Sequence, residues 1–202
     1  MDLATFERIR ISMLSGFRVL GFDLETTGFD SSKHRIVQYA FIGSDVDETH
    51  ITSEALVKPN MKIPPETTKI HGISDDDVKH AELFKEHVDN ISKLIDRSIL
   101  VGHNIERFDW PFLKMEYLRC GAEIPEPYAI IDTWILAKKF KISQYGKRSL
   151  GALCDKFGIT LEKAHSADAD AGATLILLWK IMEQYPEEFQ IWWNELVKSS
   201  SD

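Results

Sequence analysis

The chain has 202 residues, 44% of them hydrophobic and 28% charged, and a formal net charge of −8. That length and composition suit one folded domain with a full core, and exclude a disordered chain or two comfortable domains; no apolar run approaches the length of a membrane span. The acidic balance excludes a protein that coats nucleic acid by bulk charge, so any nucleic-acid contact has to be local and metal-bridged.

In chain order, "MDLATFERIRISML" spaces Leu3, Phe6, Ile9 and Met13 along one helical face, predicting a docking helix over 1–16. Asp2 and Glu7 count against a mitochondrial presequence despite Arg8 and Arg10. Three strands follow, over 18–25, 35–44 and 51–57, separated by turn-rich segments as in an antiparallel meander. A proline-punctuated connection leads into a long helical pattern that runs from Val78 to Ile95. Next come a short apolar strand over 98–104, a helix over 108–120, a buried strand over 128–133 and a helix through Lys139. The basic stretch "AKKFKISQYGKRSL" intervenes before a short helix ending at Gly158 and a long one over 166–184. Pro186 sits in the first turn of a last helix. A meander followed by β-α-β-α units predicts an α/β domain over 17–184, a mixed sheet flanked by helices, with a C-terminal helix and tail over 185–202. Cys120 and Cys154, without CxxC spacing, suit small core residues of a reduced, cytoplasmic protein.

Chemistry concentrates in three places. Asp23 and Glu25 lie two apart on the first strand and share a face, about 6–7 Å from each other along the backbone. Two unpaired carboxylates on a core-facing surface are too costly to leave without a cation, and hard oxygen donors suit Mg²⁺. Other acid-x-acid pairs occur in the chain, Asp45/Asp47, Asp75/Asp77 and Asp168/Asp170 among them, so the pair gains meaning from its place at a strand end before "TTG". Asp109 opens the helix after the 98–104 strand, either as a helix cap or as a metal ligand. His103 and Asn104 close that strand. Asp170 sits in the first turns of a helix rich in small residues, and His165 precedes it in a loop, either facing solvent or acting as a base. Four carboxylates on three elements with a nearby histidine are the parts of a two-metal phosphodiesterase, with ions about 3.5–4 Å apart across the scissile phosphate. The basic stretch, with Lys147 and Arg148 and with Phe140 and Tyr145 interleaved, is either a solvated loop or a hold on the substrate strand. Trp192 and Trp193 either pack the last helix on the domain or face a partner.

Together these residues resemble the DnaQ-like (DEDDh) exonuclease family. Its first motif is matched by Asp23-Leu24-Glu25-Thr26-Thr27-Gly28, its second by His103-Asn104 with Phe108-Asp109, and its third by His165 with Asp170. "RIVQYA", "IHGIS", the Asp132-Thr133 pair and "GKRSLGALCDKFGI" extend the likeness over about 17–182. The spacing between Asn104 and Phe108 is longer than in many members of the bacterial proofreading branch. The resemblance implies an RNase H-like fold with a five-stranded sheet in the order 3-2-1-4-5. It implies 3′→5′ hydrolysis at single-stranded DNA or RNA ends, release of nucleoside monophosphates, and two Mg²⁺ or Mn²⁺ ions. Asp23, Glu25, Asp109 and Asp170 would hold the metals and His165 would be the general base. Leu24, Thr26 and Thr27 would contact the terminal nucleotide, the threonines through their backbone, and His71 would line its pocket. Phe108 would wedge against the last bases, while His103 and Asn104 would orient strand or substrate. A polymerase or another protein is a possible partner. Single-stranded DNA is the expected substrate, RNA trimming the alternative, and a non-catalytic binding module the third reading.

Overall fold

The computed structural model describes residues 14–143, 147–161 and 166–199; the helix expected over 1–16 falls mostly outside them. Strands β1 (Val19–Thr26), β2 (Ile36–Ser44), β3 (His50–Leu56), β4 (Ile99–Gly102) and β5 (Ala129–Asp132) form one sheet in the order β3-β2-β1-β4-β5. The β3-β2-β1 half is antiparallel, and β1-β4-β5 is parallel. This is the mixed sheet and strand order that the family resemblance implies. Helices α1 (Pro65–His71), α2 (Asp75–Val78), α3 (Phe84–Ile95), α4 (Asp109–Cys120), α5 (Thr133–Lys139), α6 (Leu150–Phe157), α7 (Ala167–Gln184) and α8 (Pro186–Ser199) surround it.

The apolar period from Val78 to Ile95 is not one helix. Ser74 and Asp77 form a capping box that starts the short α2, and the chain then extends so that Lys58 pairs with Leu83. Val78 packs in a small cluster with Val37, Ile63 and Ile73, whereas Phe84, Ile91 and Ile95 join the main core. Residues that share a helical spacing thus serve two separate clusters. On α8, Trp193 is buried with Phe189 and near Tyr128, and Trp192 packs against the same cluster. The tryptophan pair fastens the last helix to the domain.

Strand β1 explains the site. Successive residues point to opposite faces. Leu20, Phe22 and Leu24 enter a core shared with α3 and α4. On the other face Val19 enters the core beneath α7 and α8, and the sequence then runs Gly21, Asp23, Glu25. Helix α7 packs over this face. A Cβ at Gly21 would lie 2.3 Å from the Ala171 carbonyl oxygen, so only glycine lets the helix backbone come so near. Ala167 and Ala171 meet Ala40 of β2 in the same contact.

The β1–β2 turn is fastened separately. Arg35 grips both oxygens of Glu116 through Nε (2.6 Å) and Nη2 (2.7 Å), and Glu116 is 1% exposed. Arg119 adds a bond to Glu116 and donates to the carbonyls of Ser31 and His34.

Three substitutions test this packing. Gly21→Ala should destabilise by about 1–3 kcal/mol, the scale of overpacking. Gly172→Ala, where a Cβ meets open space, should be neutral or stabilise by up to about 1 kcal/mol through helix propensity. Urea denaturation reads both. Glu116→Ala leaves Arg35 and Arg119 without their buried counter-charge and should cost about 3–5 kcal/mol in the same measurement.

Candidate active site

Pairing between β1 and β4 covers only Val19–Gly21 with Ile99–Val101. Beyond Gly21, β1 keeps its β2 neighbour but has an open edge on the β4 side. The Leu24 amide, which a longer β4 would have bonded, donates instead to Asp109 Oδ1 at 3.2 Å. Asp109 is buried in the first turn of α4, where the helix N-terminus favours a carboxylate. Asp170 stands in the first turn of α7, just before the Gly21–Ala171 contact. Asp23, Glu25 and Asp170 therefore converge, with carboxylate oxygens within 4.8 Å of one another.

These acids perturb one another. Burial, then the charges of Asp109, Glu25 and Asp170, raise the Asp23 pKa well above the ordinary carboxylate range. Burial and Asp170 push Glu25 up to about 7. Burial likewise raises Asp109, against the pull of its own amide and that of Leu24. Two unit charges 4 Å apart repel by about 4 kcal/mol at an effective dielectric constant of about 20. Hard oxygen donors at this separation, held together against that repulsion, fit a divalent cation such as Mg²⁺ or Mn²⁺.

The loop from β4 to α4 is organised by Asp132, a residue that sequence reasoning left without a role. Its Oδ1 accepts from the amides of Asn104 (2.9 Å), Trp134 (2.9 Å) and Ile135 (3.3 Å), and its Oδ2 from Glu106 (3.3 Å). Asn104 takes a left-handed conformation, φ 64°, and its carbonyl accepts from Arg107 and Phe108. His103 uses both ring nitrogens within the chain, Nε2 donating to the Arg148 carbonyl (2.8 Å) and Nδ1 meeting the Thr133 hydroxyl (2.9 Å). Burial lowers its pKa, which keeps the ring neutral near pH 7. Phe108 leans on Phe112 and lies 6.2 Å from the ring of Phe29. Phe29 is 79% exposed. An aromatic ring left in water next to Phe108 is a second residue the sequence reading missed, and its exposure has no signature in a one-letter string.

Thr26 Oγ1 donates to the Gly28 carbonyl, and the Thr27 amide donates to the Arg35 carbonyl. The Thr27 hydroxyl also meets Met61 and His34. Both threonines thus shape the turn that carries Phe29. His71 ends α1, with Nδ1 accepting from the Ile73 amide. Lys147 is exposed and Arg148 half-buried. His165 and Tyr145 lie outside the described residues.

A family model described as an exonuclease matches residues 20–178, and the sheet order and converging acids define an RNase H-like exonuclease fold. The chain belongs to the DnaQ-like exonuclease family. Among its relatives, a PolC-type DNA polymerase III of Lactococcus lactis is 34% identical over 170 residues, spanning 81% of this chain and 10% of that one. The epsilon subunit of DNA polymerase III from Treponema pallidum is 30% identical over 168 residues, 83% of this chain and 77% of that one. Among solved structures, E. coli exonuclease I in complex with a dT13 oligonucleotide superposes with a TM-score of 0.74 at 20% identity, over 87% of this chain and 43% of that one. The chain spans about a tenth of the length of the PolC-type relatives it matches.

The electrostatics set a pH prediction. Because Glu25 titrates near 7 when folded against 4.5 ordinarily, the folded state holds a proton that the unfolded chain has released between those values. Metal-free protein should therefore lose stability as pH rises across that window. Millimolar Mg²⁺ or Mn²⁺ should restore it above pH 7. Asp23→Asn should raise the metal-free Tm and lose most of the metal-induced rise. Thermal melts with metal and with chelator check all three.

Proposed function

We propose that the chain is a metal-dependent 3′→5′ exonuclease that removes nucleoside monophosphates from single-stranded DNA ends. The observation that carries this is the convergence of Asp23, Glu25 and Asp170 within 4.8 Å, with the Asp109 carboxylate fixed beside them by the Leu24 amide. In this reading the four acids hold two divalent ions, Mg²⁺ or Mn²⁺. Bound there, such ions lower the pKa of a ligand water and stabilise charge on the attacked phosphate and leaving oxygen. The residues of the chain do the rest. Asp109 and Asp170 each stand at a helix N-terminus, whose dipole favours a carboxylate there. His165, by its spacing from Asp170, is the proposed base that takes the proton of the attacking water. Phe29 and Phe108 offer aromatic faces on which the terminal bases stack, and Asn104 and His71 are assigned in this reading to the substrate strand and the nucleotide pocket.

DNA is favoured over RNA by the relatives, which are named as DNA polymerase components, and by the exonuclease I neighbour solved with a DNA oligonucleotide. A replicative polymerase is for the same reason the partner class we propose.

The test is a gel assay with matched 5′-labelled single-stranded DNA and RNA, with Mg²⁺, with Mn²⁺ and with chelator. A metal-dependent ladder shortening from the 3′ end, faster on DNA, is the expected result; faster RNA cleavage would reassign the substrate, and no cleavage would leave a binding module. Asp170→Ala should slow hydrolysis by at least about 10²–10³-fold, the scale for losing a group that stabilises transition-state charge. Phe29→Ala should act chiefly on KM, by the equivalent of about 1–3 kcal/mol per lost stacked base.

A further inference from the structure

One indole away from the carboxylates gathers three cations. The guanidinium carbon of Arg148 lies 4.8 Å from the centroid of Trp134, that of Arg107 5.2 Å, and the ammonium of Lys138 5.9 Å. The three come from separate parts of the chain: the loop between β4 and α4, helix α5, and the approach to α6. Like charges collected this way repel, and the negative face of the ring offsets only part of that repulsion. Among the described residues none of the three is ion-paired, although Lys139 beside them pairs with Glu195. The Nε of Arg148 is buried without a hydrogen-bond partner. Glu106, next to Arg107, is a single acid against three bases. A protein of net charge −8 has concentrated positive charge at one place, where Glu106 offsets it only in part.

The place is tied to the site. Asp132 holds the amide of Trp134 with one oxygen that also holds Asn104, in the loop that delivers Asp109. The His103 ring carries the Arg148 carbonyl to the end of β4. Trp134 stands just past the carboxyl end of β5, two strands from β1 in the sheet, which is about 10 Å at the usual strand spacing of about 4.8 Å.

We propose that Arg107, Lys138 and Arg148, set around Trp134, form a phosphate-binding station for single-stranded DNA, gripping the strand's backbone a few nucleotides from the bond held at the carboxylates. The station deepens the exonuclease reading and rests on it. Trp134 acts as the rigid post that keeps the three cations in one place, and the phosphate backbone supplies the rest of the counter-charge. Contacts of this kind carry no sequence information, so the grip is indifferent to base identity.

The experiment compares Arg107→Ala/Lys138→Ala with the unaltered chain on two probes, a 5′-labelled oligo(dT) long enough to fill a site of about 4–16 nucleotides and the dinucleotide pdTdT. On the long probe KM should rise about tenfold or more with kcat unchanged, and the slope of log KM against log salt should flatten by about 0.7 for each phosphate contact removed. On the dinucleotide, too short to reach the station, KM should stay within about twofold. Arg107→Lys/Lys138→Arg, which keeps the charges, should restore the long-probe KM, and unchanged thermal melts exclude misfolding. An unchanged KM and salt slope on the long probe, or an equal rise on the dinucleotide, overturns the station while leaving the exonuclease reading standing. If the unaltered chain hydrolyses neither probe, that reading fails instead. Anisotropy of the long probe then judges the station alone, and equal binding by both proteins overturns it.

Discussion

Helix α7 can bring Asp170 up to Asp23 and Glu25 only because residue 21 of β1 has no side chain. The Ala171 carbonyl occupies the space where a Cβ would be, so the helix axis is drawn down onto the sheet just where the strand ceases to be apolar. One face of β1 therefore changes from a packing surface at Val19, to a point of backbone contact at Gly21, to a chemical surface at Asp23 and Glu25. The short β4 completes the arrangement, since it ends before β1 does and leaves a backbone amide for Asp109 to take. Two omissions, a side chain and a few residues of strand, make room for four acids.

That gathering works against stability. Burial and mutual repulsion raise Asp23, Glu25 and Asp109 together, and a sequence selected for folding alone would have put aliphatic residues there. The surroundings are correspondingly firm. Asp132 closes four amides around the β4–α4 loop, His103 fastens that loop to α5 and to the segment before α6, and the Arg35–Glu116–Arg119 cluster fastens the turn after β1. Strain at a functional site is held in place by well-satisfied polar networks around it.

Much of this could be read from the residues. The alternation in β1, the meander, the strands of the parallel half and the helix ends at Cys120 and Gly158 all follow from local periodicity and turn chemistry, and the structure has them within a residue or two. The acids were legible as well, because a carboxylate at the end of an apolar strand contradicts its surroundings. What periodicity could not convey was the break between α2 and α3, where a backbone pairing with Lys58, distant in sequence, overrides a continuous apolar spacing. Nor could it convey the role of Asp132, whose four hydrogen bonds depend on two loops meeting. An aspartate that caps a helix and one that also anchors a neighbouring loop look the same in a string. The exposure of Phe29 is likewise a property of the folded surface, not of its neighbours in sequence.

The fastening of the β1–β2 turn has a kinetic meaning. Arg119 pins the carbonyls of Ser31 and His34 and Arg35 is locked to Glu116, so the turn is held at its base while the Phe29 ring stands in water. Within this turn the part free to move is then a side chain rotating about its own bonds, on the picosecond-to-nanosecond scale of exposed rotamers. A strand end arriving at this turn meets a backbone that is already in place, and only the aromatic ring has to settle against it.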